Sequence, residues 1–321
     1  MSGGFFLDMA TPLVHLCAFA FSAPTAATAK VALRGLFGGA SDAVLACPAT
    51  KSPLRRCVSQ LGGERRQQLL SEDSSRRYTL NEVYADLVAR PQIGISQLSD
   101  ELFSIFSMQT GLFRTPAMAF LYERGWRQNF QAMGFPGIDL EFAEAAEFFA
   151  LPADGGVVVD ISCGTGLMAR RLVRSGRYSR VYALDYSEEM LRETCRRFDE
   201  EDLGRDRLTL VRADAAELPL QTRSVDAIHA GAALHCWPRL EMSLAEVHRS
   251  LKPGGRFYAT TFFEGALRGT PSQMRRQGSG SMRMFRDEAE LEQLLVQAGF
   301  DESRLDVRRE GAACAVIRAT A

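Results

Sequence analysis

VVVDISCGTG, residues 157–166, joins a short apolar run to an acidic residue and a glycine-rich turn. A run of β-branched residues is typical of a buried strand. Gly164 and Gly166 allow the backbone to turn tightly and to approach a ligand without a Cβ in between. The stretch therefore predicts a strand followed by a nucleotide-binding loop, and the rest of the chain has to indicate which nucleotide.

Strand-like and helix-like segments alternate from residue 157 to the end of the chain. The expected strands are VVVDI, RVYALD, RLTLVRAD, SVDAIHAG and RFYATTFF, with two more at about 304–309 and 312–319. The expected helices between them are GLMARRLVRSG, SEEMLRETCRRF, PRLEMSLAEVHRSLKPGG and DEAELEQLLVQAGF. Repeated βα units predict an α/β fold, a parallel sheet with helices on both faces.

Acidic residues at the strand ends indicate the ligand. A dinucleotide site usually has the pattern G-x-G-x-x-G, whereas Ser162 stands at the first glycine position here. Asp160, Asp185 and Asp214 end three successive strands, at the edge where such sheets bind their ligands. Asp185 can accept both hydroxyls of a ribose, and Asp214 can accept the amino group of adenine. The alternative for each acid is a helix cap or a turn. Together they favour an adenosyl ligand without pyrophosphate, and S-adenosylmethionine is such a ligand.

The motifs VDISCGTGL, ALDYSEEML, VRADAAELP, VDAIHAGAALHCWPR and ATTFF carry a family resemblance. Residues 157–261 resemble the class I S-adenosylmethionine-dependent methyltransferases of type 11, which include the ubiquinone/menaquinone C-methyltransferases. With FLYERGWRQNF and GFPG, residues 45–317 resemble plastid-targeted methyltransferase-like proteins of plants and algae, which are generally associated with plastoglobules. The resemblance implies a Rossmann-like, seven-stranded mixed sheet in the order 3-2-1-4-5-7-6, with strand 7 antiparallel.

The resemblance also assigns the residues that would hold the cofactor, S-adenosylmethionine. They are Asp160, Ser162, Gly164, Gly166, Asp185, Tyr186, Met190, Asp214, Ala215 and Ala230. The first four would hold the methionine end, and the next three would hold the ribose and cover the ring system. The following two would bind the adenine, and Ala230 would lie along the sulfonium.

One histidine is placed to act in catalysis. Methyl transfer is an in-line displacement, so positioning and exclusion of water account for most of it. Where the acceptor must also lose a proton, a histidine with a pKa near ~6.5 is suited to take it. His235 follows strand 4 and is the expected base, although packing beside Trp237 is an alternative role. His229 lies within the strand and is expected in the core. The histidines are too scattered to predict a metal site.

The N-terminal part divides into a presequence and a small module. Residues 1–44 combine a short apolar stretch with a segment rich in Ala, Ser, Thr and Gly. This composition predicts a cleaved targeting presequence, and AFAFSAP resembles the plastid presequences of algae with secondary plastids. A disordered tail is the alternative. Residues 45–98 resemble a degenerate zinc-ribbon module, but Thr50 replaces the second cysteine of the first C-x2-C pair, so no zinc is expected.

The methyltransferase domain would then cover residues 99–321 and begin with cap helices. These helices contain residues that could close over the cofactor, or form a solvated face: Tyr122, Arg124, Trp126 and Arg127. Residues 265–285 contain four arginines and no acid, which suits contact with an anionic lipid surface or a solvated loop.

Composition limits the partners. The formal net charge of −1 gives no general attraction to nucleic acid, and no apolar run reaches the ~18 residues of a membrane span. The chain is therefore expected to methylate a small, apolar plastid acceptor such as a prenylated quinol, with peripheral contact to a membrane or plastoglobule. The alternatives are a cofactor-binding protein without turnover and an RNA methyltransferase.

Overall fold

The structure is a computed structural model. The residues that it describes are 44–61, 64–89, 128–131, 134–264 and 283–321. The predicted presequence, the cap-helix residues 99–127 and most of the 265–285 segment lie outside these ranges. Across the described ranges, none of the helices combines the length and apolar character that a membrane span requires.

The described chain contains eleven strands. They are β1 (Leu54–Leu61), β2 (Glu64–Ser71), β3 (Arg77–Leu80), β4 (Ala85–Asp86), β5 (Val157–Ile161), β6 (Arg180–Asp185), β7 (Leu208–Arg212), β8 (Val225–Ala230), β9 (Leu251–Phe262), β10 (Leu305–Glu310) and β11 (Cys314–Thr320). The α-helices of these ranges are α1 (Gln128–Gln131), α2 (Ile138–Ala153), α3 (Leu167–Arg174), α4 (Glu188–Glu200), α5 (Leu240–Ser250) and α6 (Glu288–Gln297). Short 3-10 turns lie at Ala215–Glu217, Leu234–Cys236 and Glu302–Arg304.

The predicted seven-stranded order is confirmed. Strands β5 to β11 lie in the order β7-β6-β5-β8-β9-β11-β10, and β11 is antiparallel to both of its neighbours. The central strands consist almost entirely of buried apolar residues, and they form two apolar clusters with the helices. Burial on both faces explains why the pattern of these strands is a continuous apolar run.

One predicted helix boundary is wrong. The sequence suggested that the helix before β9 continues through KPGG, but α5 ends at Ser250 and these residues belong to β9. Pro253 lacks a backbone N–H and cannot continue a helix, and Gly254 has a φ of 79°. The chain therefore turns directly from the helix into the strand.

The N-terminal strands continue the main sheet instead of forming a separate body. Strands β1 to β4 are antiparallel to one another, and β4 pairs in parallel with β7, with Asp86 opposite Arg212. Leu69 and Tyr78 are buried in the same apolar cluster as Val211 of β7. An alternating sequence predicts strands but does not indicate which strands they pair with, so this continuation of the sheet could not be predicted. The pairing covers a sheet edge that would otherwise be open.

Candidate active site

The ten expected cofactor-binding residues lie at or just beyond the carboxyl ends of β5, β6, β7 and β8. Because these four strands are parallel neighbours, their carboxyl ends share one edge of the sheet. This edge is where open α/β sheets bind ligands. The fold thus brings together residues that are up to seventy positions apart in the chain.

The glycine loop after β5 is held in a left-handed conformation. Ser162, Gly164 and Gly166 have φ values of 56°, 56° and 77°. A Cβ on Gly166 would lie 2.5 Å from Cγ2 of Thr194, so no side chain fits there. The Thr194 hydroxyl donates to the Gly164 carbonyl at 2.9 Å, which fastens the loop to α4.

The segment after β8 supports the same loop. Trp237 is buried, and its Nε1–H donates to the Ser162 hydroxyl at 3.0 Å. A non-glycine residue at positive φ is strained and persists only where surrounding contacts hold it. The indole bond is such a contact. The AALHCW motif therefore supports the conformation of the glycine loop, in addition to any role of His235.

Asp185 connects the first two loops. Its Oδ2 accepts the Gly164 N–H at 2.9 Å, and its Oδ1 accepts the Ser187 N–H at 2.8 Å. Burial raises the pKa of Asp185 to about 6. Each carboxylate oxygen retains a second lone pair, so both can still accept hydroxyls of a ribose. Ser187 is the N-cap of α4 and accepts the Met190 N–H, and the Met190 side chain is buried.

Asp214 lies at the end of β7 with both oxygens engaged. Oδ1 accepts the Ala216 N–H at 2.9 Å, and Oδ2 forms an ion pair with Arg239 at 2.8 Å. Arg239 also contacts Glu217 at 3.0 Å. Ala215, which is half-buried, begins the turn that Asp214 caps. The role of Arg239 could not be predicted, because a single arginine before a helix has no distinctive sequence pattern.

A buried cluster of two carboxyl groups and one imidazole lies next to the glycine loop and was not predicted from the sequence. Asp160 Oδ1 lies 2.8 Å from Nδ1 of His229, and Glu141 Oε1 lies 3.0 Å from Nε2 of the same ring. Asp160 Oδ2 is buried and has no hydrogen-bond partner among the described residues. His229 is buried as expected, but it is bonded to two carboxylates and does more than fill the core. Pairing β5 with β8 would have indicated the contact, because the register of these two strands places Asp160 opposite His229.

His235 is buried at the same edge of the sheet. Its exposed fraction is 5%, and its Nδ1 lies 3.3 Å from the Thr261 hydroxyl. The ring centroids of His235 and Phe262 lie 4.7 Å apart in a T-shaped arrangement. Burial lowers the pKa of His235 to about 4. The expectation of a pKa near ~6.5 is therefore wrong, because the sequence could not show this desolvation. The imidazole is neutral at physiological pH.

Aromatic rings surround the His235 side of the site. Phe262 ends β9, and its ring centroid lies 4.5 Å from that of Phe135 and 5.1 Å from that of Phe130. Phe135 and Phe262 are buried, and Phe130 is half-buried. These three residues, the aromatic cluster, pack against one another at the carboxyl end of β9. GFPG was noted in the sequence only as a motif of the family resemblance, and this contact was not predicted.

The N-terminal strands contact the residues that follow β6. The Arg212 Nε–H donates to the Tyr186 carbonyl at 3.1 Å, and its guanidinium lies 5.3 Å from the Tyr186 ring centroid. Asp86 of β4 pairs with Arg212 at 3.2 Å. The Tyr84 hydroxyl donates to Glu188 at 2.5 Å. Tyr186 is thus held by a residue of β7 that is itself fixed by β4.

We expect Asp86→Asn to weaken cofactor binding about threefold to tenfold, because a partly buried charged pair that holds Arg212 against Tyr186 is lost. Titration calorimetry with S-adenosylmethionine measures the change. Glu72→Gln removes an exposed carboxylate from the bend between β2 and β3 and should bind like the parent. Equal affinity in Asp86→Asn and Glu72→Gln would show that the N-terminal strands do not support the cofactor site.

The carboxylates at this edge have the chemistry that S-adenosylmethionine requires. The unpartnered Asp160 oxygen suits the amino group, the Asp185 carboxylate suits the ribose, and Asp214 suits the adenine amino group. Gly166 gives the backbone the close approach that the middle of the ligand needs. When bound, this cofactor supplies a methyl group on a positively charged sulfonium.

Comparisons with known proteins agree with this geometry. A family model described as a methyltransferase domain matches residues 159–259. A chloroplastic methyltransferase of Arabidopsis thaliana is 44% identical over 235 residues, which is 71% of this chain and 63% of that protein. A second one from the same plant is 41% identical over 271 residues, 80% of this chain and 73% of that protein. The chain belongs to the S-adenosylmethionine-dependent methyltransferases. The match to the first relative spans less than two thirds of its length.

More distant members of this methyltransferase class share part of the chain. A ubiquinone/menaquinone biosynthesis C-methyltransferase of Rhizobium etli is 38% identical over 111 residues, 34% of this chain and 43% of that protein. Among solved structures, a Haemonchus contortus phosphoethanolamine N-methyltransferase bound to S-adenosylmethionine has a TM-score of 0.52 at 17% identity. The alignment covers 66% of this methyltransferase and 59% of that chain, and it shows the fold alone.

Proposed function

We propose that this methyltransferase transfers a methyl group from S-adenosylmethionine to a small, apolar acceptor of the plastid, such as a prenylated quinol. The observation that carries the proposal is the aromatic cluster beside His235, at the sheet edge where the cofactor residues converge. Flat aromatic surfaces suit a quinol ring by offset or edge-on packing. The chloroplastic Arabidopsis relatives support the plastid as the place of action, and the relative named as a ubiquinone/menaquinone biosynthesis C-methyltransferase supports the acceptor class.

The binding residues have separate tasks in this proposal. Asp160 accepts from the amino group, Asp185 from the ribose hydroxyls, and Asp214 from the adenine. Ser162, Gly164 and Gly166 shape the backbone around the middle of the ligand. Tyr186, Met190 and Ala215 pack around the adenosine, and Ala230 lies along the sulfonium.

Positioning accounts for most of the proposed catalysis. The aromatic cluster excludes water and orients the acceptor ring, so that its reactive atom can be placed in line with the methyl group. His235 is the proposed base on this side, since it is neutral and adjoins Phe262. It would take the proton that the acceptor loses as the new bond to the methyl carbon forms.

A transfer assay tests the function. Purified protein is incubated with S-adenosylmethionine labelled on the methyl group and with a plastid lipid extract, and the labelled products are identified by mass spectrometry. A prenylated quinol or a similarly apolar molecule should carry the label. The Asp185→Ala variant provides the background. Label confined to RNA, or no label above that background, would contradict the proposal.

The proposed place of action is the plastid, with peripheral contact to plastoglobules or thylakoids. An apolar acceptor resides in such lipid phases, and an enzyme that methylates it must reach their surface. Flotation of isolated plastid membranes on a density gradient measures this contact. Recovery of the protein in the stroma alone would contradict it.

A further inference from the structure

Three buried ionisable side chains form a line across three elements of the fold. Glu141 lies in the first turn of α2, His229 on β8 and Asp160 on β5, and each has an exposed fraction of 1%. The imidazole stands between the two carboxylates, at 3.0 Å from Glu141 and 2.8 Å from Asp160. Burying these groups is costly unless they are paired with good geometry. Their arrangement therefore requires an explanation beyond packing.

Geometry indicates which form of the imidazole is present. A neutral ring has one N–H and could donate to only one of the two carboxylates, whereas an imidazolium donates to both. Burial lowers the pKa of His229, but the hydrogen bonds and charges of Asp160 and Glu141 outweigh it and raise the pKa to about 9. At neutral pH the imidazole between the two carboxyl groups is therefore a cation.

The other groups around His229 do not supply a competing charge at the ring. The Tyr258 ring of β9 stacks on His229 at 6.1 Å, and its hydroxyl donates to Glu144 of α2 at 3.1 Å. The Thr260 hydroxyl donates to Glu141 at 3.4 Å. Cys314 of β11 lies near Glu141, and burial raises the pKa of its thiol, so that it stays neutral. Asp185 and Cys163 interact electrostatically with Asp160, and neither forms a hydrogen bond to the His229 ring.

The Asp160 carboxylate uses one oxygen for His229 and leaves the other available to a ligand. Its Oδ1 is occupied by His229, and Oδ2 has no hydrogen-bond partner among the described residues, at the start of the glycine loop. We propose that Glu141 and His229 are positioning residues that fix the Asp160 carboxylate, so that Oδ2 binds the amino group of the cofactor's methionine end. The inference rests on the proposed function and adds two positioning residues for the binding of the methionine end of the ligand.

Two ligands distinguish this role from a general structural one. S-adenosylhomocysteine carries the amino-acid end, whereas 5′-methylthioadenosine has the same adenosine and a thioether without it. In His229→Gln we expect the Kd for S-adenosylhomocysteine to rise about 10- to 100-fold, as for the loss of a charge-assisted hydrogen bond. The Kd for 5′-methylthioadenosine should change less than about twofold, because that ligand does not reach Asp160. Calorimetry with the full chain gives both values.

Matched variants keep the test decisive. Glu141→Gln removes the outer charge, keeps the shape of the side chain and should show the same selectivity in weaker form. It replaces His229→Gln if that variant does not fold. His248→Gln makes the same change on α5 and should bind both ligands like the parent. Equal weakening of both ligands would mean that the line is structural, and unchanged binding would mean that it is not used. Either result overturns the proposal. If the parent binds neither ligand, the proposed function itself fails.

The protonation state has an independent readout. A histidine whose pKa is raised by folding adds stability that is fully present below its unfolded pKa of ~6.5 and is lost as pH rises through the folded value. The parent should therefore lose urea resistance between about pH 7 and 9.5, and this loss should be smaller in His229→Gln. Nitrogen NMR of the labelled imidazole should show a cation at pH 7. A neutral ring at that pH would overturn the proposal.

Discussion

Asp185→Ala is expected to weaken S-adenosylmethionine binding by about 10²- to 10⁴-fold. In the proposed site the Asp185 carboxylate accepts from two ribose hydroxyls, and each charge-assisted bond contributes ~1.5–3 kcal/mol, so the pair contributes ~3–6 kcal/mol. The variant also loses the acceptor for the Gly164 and Ser187 N–H groups, which hold the two loops together. Titration calorimetry measures the effect, starting from a parent affinity on the order of micromolar or tighter.

Two further variants show whether the carboxylate itself is responsible. Asp185→Asn keeps an oxygen that can accept from one N–H, so it should preserve the fold and still lose most of the affinity. Asp206→Ala removes an exposed carboxylate just before β7 and should bind like the parent. Equal affinity in Asp185→Ala and the parent would contradict both the site and the assignment of the ligand.

The pH dependence of binding follows from the same residue. Burial raises the pKa of Asp185 to about 6, so its proton is bound more readily than on an ordinary aspartate. Ribose hydroxyls donate to the ionised form, and affinity should therefore fall as pH drops below about 6, by up to about tenfold per pH unit. The slope should be absent in Asp185→Ala.

The central sheet could be predicted because its signals are local. Residues 157–161, 180–185 and 208–212 are apolar runs that end in or next to acids, and the order of the strands follows from the family resemblance. Because Asp160, Asp185 and Asp214 lie near the ends of these runs, the predicted parallel strands also place them at one edge of the sheet. Buried parallel strands leave a continuous apolar pattern that needs no knowledge of distant contacts.

Features that depend on distant partners could not be predicted. Alternation in residues 77–86 indicated strands, but the partner of β4 is decided by the open edge of β7, more than one hundred residues later. Glu141 meets His229 only because α2 packs against β8 and β9. The pKa of His235 is set by the burial of its ring, which no residue in AALHCW reveals. Each of these is a property of the packed fold.

His235→Asn is expected to lower turnover by about 10²- to 10⁴-fold, the usual contribution of a general base. The proposal rests on its place after β8, against Phe262 of the aromatic cluster. Since Asn cannot take a proton, the chemical step slows, while cofactor contacts at β5, β6 and β7 remain. S-adenosylmethionine affinity should therefore stay nearly unchanged, so that the loss is in the chemical step. Methyl transfer to the acceptor found in the transfer assay measures turnover, and calorimetry measures binding.

The pH profile and the stability of the variant decide between catalysis and packing. Burial lowers the pKa of His235 to about 4, so the base is already neutral at pH 5 and the parent rate should be insensitive to this group above it. The rate should fall as pH drops through about 4, because protonation removes the acceptor lone pair. His248→Asn is the matched control and should leave turnover unchanged. A fall in melting temperature and cofactor affinity together with turnover would make His235 a packing residue. Full turnover in His235→Asn would mean that the acceptor loses its proton to water or to another group, and that the aromatic cluster and the cofactor loops alone position the reaction.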